Sequence, residues 1–241
     1  MLTIEALSVS FRGHDGGLTR PLEGITLAVP PGEVTGLVGG SGAGKSLVAE
    51  ALMGRLPRNA ELSGRIRIDA AHPARGRIAL APQAVDALDP LARCGRQVDR
   101  FARLAGREAD APGLFAALGL PAAALDAYPH ELSGGMAKRV LIATALATGA
   151  DYLIADEPTL GLDPANADRI MQLLAGLAAE GRGVLLISHD LPRLVAIARR
   201  VTILREGRPI ETAEASAFGS DGLCHPFSRD LWAAQFWSAP C

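Results

Sequence analysis

The sequence predicts an α/β fold, a largely parallel sheet covered by helices on both faces. Two observations lead there. Along the second half of the chain, short apolar runs of strand length alternate with stretches of helical periodicity. Crossover helices impose that pattern on a parallel sheet. One such run, 34–38, leads straight into a glycine-rich turn and then a helical pattern. That strand–loop–helix order is the setting of phosphate-binding loops.

Taken in order, residues 2–9 and 24–29 alternate or run apolar and predict two strands, with the glycine- and charge-rich stretch 12–21 as the loop between them. Residues 34–38 give a third strand and 45–55 a helix; 65–68 and 77–81 predict further strands. From 84 to 131 Ala, Leu and Arg recur at helical spacing, broken by Pro90, Pro112, Pro121 and Pro129. This reads as a small helical insertion, continued by a helix over 134–148. The apolar runs 152–155 and 184–188 predict buried strands separated by a helix over 165–180, and a helix over 191–199 leads to a strand at 201–205.

Bulk properties narrow the function. The chain has 241 residues, 49% hydrophobic and 21% charged, enough for one α/β domain with an insertion. Its formal charge of -2 gives no basic field for nucleic acid. No apolar run approaches the ~20 residues that span a bilayer, and 140–150 is too short. The first five residues lack a signal-peptide pattern. A cytoplasmic chain reaching the membrane through a partner is therefore expected. Cys94, Cys224 and Cys241 are too few and too far apart for a disulfide framework or a zinc cluster, and read as free thiols.

The chemistry begins at Gly39-Gly40-Ser41-Gly42-Ala43-Gly44-Lys45-Ser46, which fits G-x-x-x-x-G-K-[ST]. Glycines let consecutive N–H groups turn inward around phosphate oxygens, and the helix N-terminus adds partial positive charge. Lys45 is placed to reach the β- and γ-phosphates and Ser46 to ligate Mg²⁺. The apolar strand ending in Asp156-Glu157 supplies carboxylates at the edge where parallel sheets bind ligands. Asp156 is the candidate to help hold Mg²⁺, and Glu157 to orient or deprotonate an attacking water.

Leu132-Ser133-Gly134-Gly135-Met136, about twenty residues before the acidic strand end, resembles the signature motif of ABC ATPases. Other elements similar to that family follow in order: Gln83 as the Q-loop glutamine, Gly161-Leu162-Asp163 as the D-loop, and Ser188-His189-Asp190 around the switch histidine. The resemblance covers essentially the whole chain. It implies a P-loop NTPase core with an N-terminal antiparallel β portion and a helical insertion. It also implies hydrolysis of ATP with Mg²⁺. By the same resemblance Ser133, Gly134 and Gly135 contact the γ-phosphate held by an opposite subunit, His189 contacts the γ-phosphate, Gln83 links Mg²⁺ and the water to the insertion, Asp163 joins the nucleotide-binding set, and Phe11 stacks on adenine.

The segment Tyr128-Pro129-His130-Glu131 before the signature, its Met136, Leu88-Asp89-Pro90 and His225-Pro226-Phe227-Ser228-Arg229-Asp230-Leu231 are similar to the oligopeptide, dipeptide and nickel importer branch. Ala137-Lys138 stands where an Arg-Gln pair is usual, and Gly161 where Ala is more usual. A short tail and Gly40, where an acid is frequent, lean towards nickel or metal-chelate members. The resemblance implies two membrane permeases, a second ATPase chain (a paralogue or a copy) and an extracytoplasmic substrate-binding protein, at the cytoplasmic face of the inner membrane. It divides the chain into a nucleotide-binding core (1–83 and 149–215), a helical subdomain (84–148) and a C-terminal extension (216–241). Two other readings stay open: an ABC-type ATPase of a soluble complex, such as a phosphonate carbon–phosphorus lyase accessory, and a non-transport nucleotide-dependent regulator.

Overall fold

The computed structural model describes residues 1–13, 17–68, 77–220 and 222–237, with 236 and 237 given by their backbone. Cys241 and part of the expected 12–21 loop lie outside the described residues. In chain order the elements are β1 (Leu2–Arg12), β2 (Leu18–Val29), β3 (Val34–Gly39), α1 (Lys45–Leu52), β4 (Ala60–Ile68) and β5 (Ile78–Ala81). Then come α2 (Cys94–Leu104), α3 (Ala111–Ala117), α4 (Gly134–Ala147), β6 (Tyr152–Asp156), α5 (Pro164–Ala179) and β7 (Gly183–Ile187). The chain ends through α6 (Leu191–Ile197), β8 (Arg200–Arg205), β9 (Arg208–Glu214) and α7 (Pro226–Trp237).

Two sheets result. One is antiparallel, in the order β2-β1-β4; the other has six strands in the order β5-β6-β7-β3-β8-β9. The first five strands of the larger sheet are parallel, and β9 is antiparallel to β8. The larger sheet is the middle layer, and the strand pleat shows why its sequences are apolar throughout. Leu153 and Ala155 face one core with Val184 and Leu186, where α4 and α5 pack. Tyr152 and Ile154 face the other core with Leu185 and Ile187, shared with α1 and the smaller sheet. A strand buried on both faces has no polar alternation to show.

Several expectations change. Of the described residues in 12–21, Arg12 and 18–21 are strand: Phe11 pairs with Thr19 and Arg12 with Leu18, and Gly13 N–H donates to the Gly17 carbonyl at 2.8 Å. An antiparallel sheet with a wet face tolerates such polar residues. For the same reason β4 begins at Ala60 rather than at 65. The insertion contains two short α-helices and three 3-10 turns, cut up by its prolines. Strand β9 was unexpected, since it is an edge strand carrying Pro209 and charges that blur any apolar pattern.

Helix α7 is held from outside itself. Glu211 accepts from the N–H groups of Cys224 at 2.7 Å and His225 at 3.1 Å. Phe218 meets Trp232 edge-on, and the Arg205 guanidinium lies 5.0 Å from the Phe227 ring centroid.

Candidate functional site

Because the strands are parallel, β3, β6 and β7 end at one edge of the sheet, and Asp156 pairs with Ile187 there. The Gly39–Ser46 loop leaves β3 at that edge. Gly44 stands at φ 93° as the residue preceding α1, and a Cβ there would meet the Leu22 side chain at 2.4 Å. Only glycine fits that combination. The Lys45 ammonium donates to the Gly39 and Gly40 carbonyls at 2.9 and 3.1 Å, so it is held across the mouth of the loop.

The pleat decides what the acidic pair meets. Asp156 lies on the same face of β6 as Tyr152 and Ile154, the face against which α1 packs. It is 5% exposed and sits beside the Ser46 hydroxyl at the start of α1. Burial pushes its carboxyl above the usual range and Glu157 adds to that; the Ser46 hydroxyl and the Lys45 and Lys138 charges oppose it. Its Oδ1 is buried and has no hydrogen-bond partner among the described residues. An anionic oxygen without a partner beside a hydroxyl is a donor set that suits a hard divalent cation. Asp156 and Ser46 therefore fit Mg²⁺.

Glu157 follows the last strand residue with φ 49°, in the left-handed region, while its N–H still donates to Ile187 at 2.9 Å. The turn brings its Oε2 to 2.7 Å from His189 Nδ1, just beyond β7. A contact of this length is a hydrogen bond with one proton between carboxyl and imidazole. Glu157 and His189 line a cavity of about 660 Å³ together with residues 39–47, Gln83, Leu160 and Leu191. Leu231 and Gln235 of α7 complete its wall. Sequence reasoning missed those two, because only tertiary packing brings a C-terminal helix to this mouth.

The structure sets Ser133, Gly134 and Gly135 apart from the loop. They line a second depression of about 890 Å³ with Asp163, and Gln83 and Leu160 border both hollows. Ser133 caps α4 by accepting from Met136 N–H at 3.3 Å. A Cβ on Gly135 would come within 2.9 Å of the Leu162 side chain, so a glycine lets the two turns touch. Asp163 caps α5 through Asn166 N–H at 3.0 Å; the Asn166 side chain, then its backbone, holds this carboxyl below the usual range. Behind the turn, Arg139 ties α4 to Gly119, Asn166 and Leu118 at 2.8, 2.9 and 3.2 Å. Phe11 is half-buried on β1 and packs on the core beneath the smaller sheet, outside the residues that line the first cavity.

Comparisons with known proteins agree with this architecture. A family model described as ABC transporter matches residues 22–160. A putative peptide import ATP-binding protein of Brucella abortus (strain 2308) is 37% identical over 97% of this chain and 76% of its own length. The peptidoglycan transport ATP-binding protein YejF of Agrobacterium fabrum (strain C58) is 36% identical over 98% of this chain and 47% of its own. The solved structure of an ATP-binding subunit of an ABC transporter superposes with TM-score 0.77 at 26% identity, covering 98% of this chain and 99% of that one. An ATP-binding cassette solved as a dimer with ADP and Pi superposes at 0.78 and 24% identity, over 89% and 99%, a likeness of fold. With a family model over more than half its length and relatives that align with almost all of it, the chain belongs to the ABC transporter family as an ATP-binding cassette.

Proposed function

We propose that this chain hydrolyses ATP to ADP and phosphate and thereby energises an ABC importer, with peptides as the cargo its relatives' names support. The observation that carries the proposal is the Glu157 carboxylate, set 2.7 Å from His189 in the cavity that also holds the phosphate loop. In this reading Lys45 and the loop N–H groups bind the β- and γ-phosphates. Ser46 and Asp156, with Gln83, would hold Mg²⁺. When bound, that ion supplies positive charge against the phosphate oxygens. Glu157 orients a water and takes its proton, while His189 contacts the γ-phosphate. The water oxygen bonds to the γ-phosphorus, the bond to the bridging oxygen breaks, and ADP and phosphate leave.

The second depression supports a site shared between two chains. Ser133, Gly134 and Gly135 line a hollow distinct from their own phosphate loop, so in this reading they serve the ATP held by a second ATPase chain. Residues 84–148 act as a helical subdomain between the core segments 1–83 and 149–215, and 216–241 as an extension. No helix among the described residues is long and apolar enough to cross a membrane. Two permease subunits, with an extracytoplasmic binding protein, then place the chain at the cytoplasmic face of the inner membrane. The nickel or metal-chelate expectation gains no support from the relatives' names.

Glu157→Gln tests the reading. It removes the proton acceptor and leaves Lys45 and Ser46 in place. ATP binding is retained and hydrolysis by the assembled transporter falls at least about 100-fold, the scale of a lost general base. Normal steady-state turnover by this variant rejects the assignment.

A further inference from the structure

Lys138 stands on α4 one helical turn beyond Gly134, and it is 6% exposed. Its ammonium donates to the Glu157 carbonyl at 2.8 Å and to the Leu160 carbonyl at 3.0 Å. These carbonyls bracket the short turn that follows β6, in which Leu160 N–H also bonds back to the Glu157 carbonyl at 3.3 Å. The residue so held, Glu157, has the left-handed backbone that side chains other than glycine's rarely adopt. Without support such a conformation relaxes.

A lysine is a costly choice for this position. Burial disfavours its charge and lowers its pKa, while Glu157 and Asp156 push the other way. A methionine would fill a similar volume without that penalty, and apolar replacements of buried ions are often neutral or stabilising. Packing therefore does not explain the ammonium. Its hydrogen bonds do, since they end on the backbone of the residue whose carboxylate faces His189.

The geometry points to Lys138 as a positioning residue that ties the turn 157–160 to the signature helix and thereby aims the Glu157 carboxylate. This rests on the reading of Glu157 given above. The same helix is capped by Ser133, so the tie makes the signature turn and the acidic strand end of one chain a single rigid piece. A shift of α4 on engaging a partner's nucleotide is then carried to the hydrolytic carboxylate of its own chain.

Three readouts test this: ATP affinity, steady-state hydrolysis by the assembled transporter, and amide hydrogen exchange over 157–162. Lys138→Met removes every donor. It should leave ATP affinity and KM within about twofold, lower kcat about 10- to 100-fold, the cost of a small misplacement of a reacting group, and speed exchange in this turn alone. Lys138→Gln puts back an NH₂ whose two hydrogens serve both carbonyls, and should recover most of kcat and of the protection. Parental kcat and exchange in Lys138→Met overturn the proposal. So does an equal kcat loss in both variants with the turn still protected, since charge and not the tie would then be at work. If the methionine chain does not fold, the glutamine chain decides alone: kcat within about threefold of the parent supports the tie, and a tenfold loss with unchanged exchange overturns it. Full hydrolysis by Glu157→Gln would sink the reading of Glu157 itself. Full hydrolysis by Lys138→Met beside an inactive Glu157→Gln sinks only the positioning role.

Discussion

The two hollows on this chain are built in opposite ways. The phosphate loop is eight consecutive residues leaving one strand and entering one helix, and its lysine is held by carbonyls of the loop itself. The signature turn is short, and its placement is settled elsewhere. Arg139 reaches Leu118, Gly119 and Asn166, and Lys138 reaches Glu157 and Leu160. One half-site is encoded locally, the other by buried cations that cross between elements. Local encoding gives a motif that can be read and replaced as a unit. Distributed encoding gives a surface that responds when neighbouring elements move.

The contrast predicts where each kind of damage stays. Lys45→Ala removes a cation within the local half, so the loss falls on nucleotide binding itself. ATP affinity in a direct titration should weaken about 10- to 100-fold, the scale of a lost charge-assisted bond. Unchanged affinity would mean that the loop does not grip phosphate through this lysine. Ser133→Arg loads the distributed half. Binding to the variant's own loop should stay within about twofold while hydrolysis by the assembled transporter drops by about tenfold or more, as for removal of transition-state donors. Full activity there would end the shared-site reading. In a homodimer, mixing this chain with Lys45→Ala should restore one good composite site. Phe11→Ala sharpens the border of the local half. If the ring stacks on adenine, KM for ATP rises about fivefold, or ~1 kcal/mol, with a smaller change in kcat. A lower melting temperature with parental ATP affinity would make Phe11 a core residue only.

The same division explains what could be read from the sequence. The loop, the acidic pair, Gln83 and His189 are short patterns at strand ends; the loop, Gln83, Glu157 and His189 line one cavity, and Asp156 is buried beside it. The parallel sheet was legible because strands buried on both faces are short apolar runs. Strand β9 and the outer half of the β1–β2 hairpin were not, since exposed antiparallel strands carry charges and look like loop. Lys138 read only as a departure from the usual Arg-Gln pair, because nothing near it in sequence shows that its partners lie nineteen and twenty-two residues on. Leu231 and Gln235 were invisible at this cavity for the same reason.

The pleat of β6 has a consequence for how such a chain can change over time. Asp156 meets Ser46 only because it falls on the same side of the strand as Tyr152 and Ile154. Loss or gain of one residue within 152–156 would turn every following side chain to the opposite layer. The apolar residues would exchange cores, and the carboxylate that faces α1 would face α4. No single further substitution restores both. Drift in length is therefore barred from this strand, whereas an exposed turn that feeds no buried strand can grow or shrink.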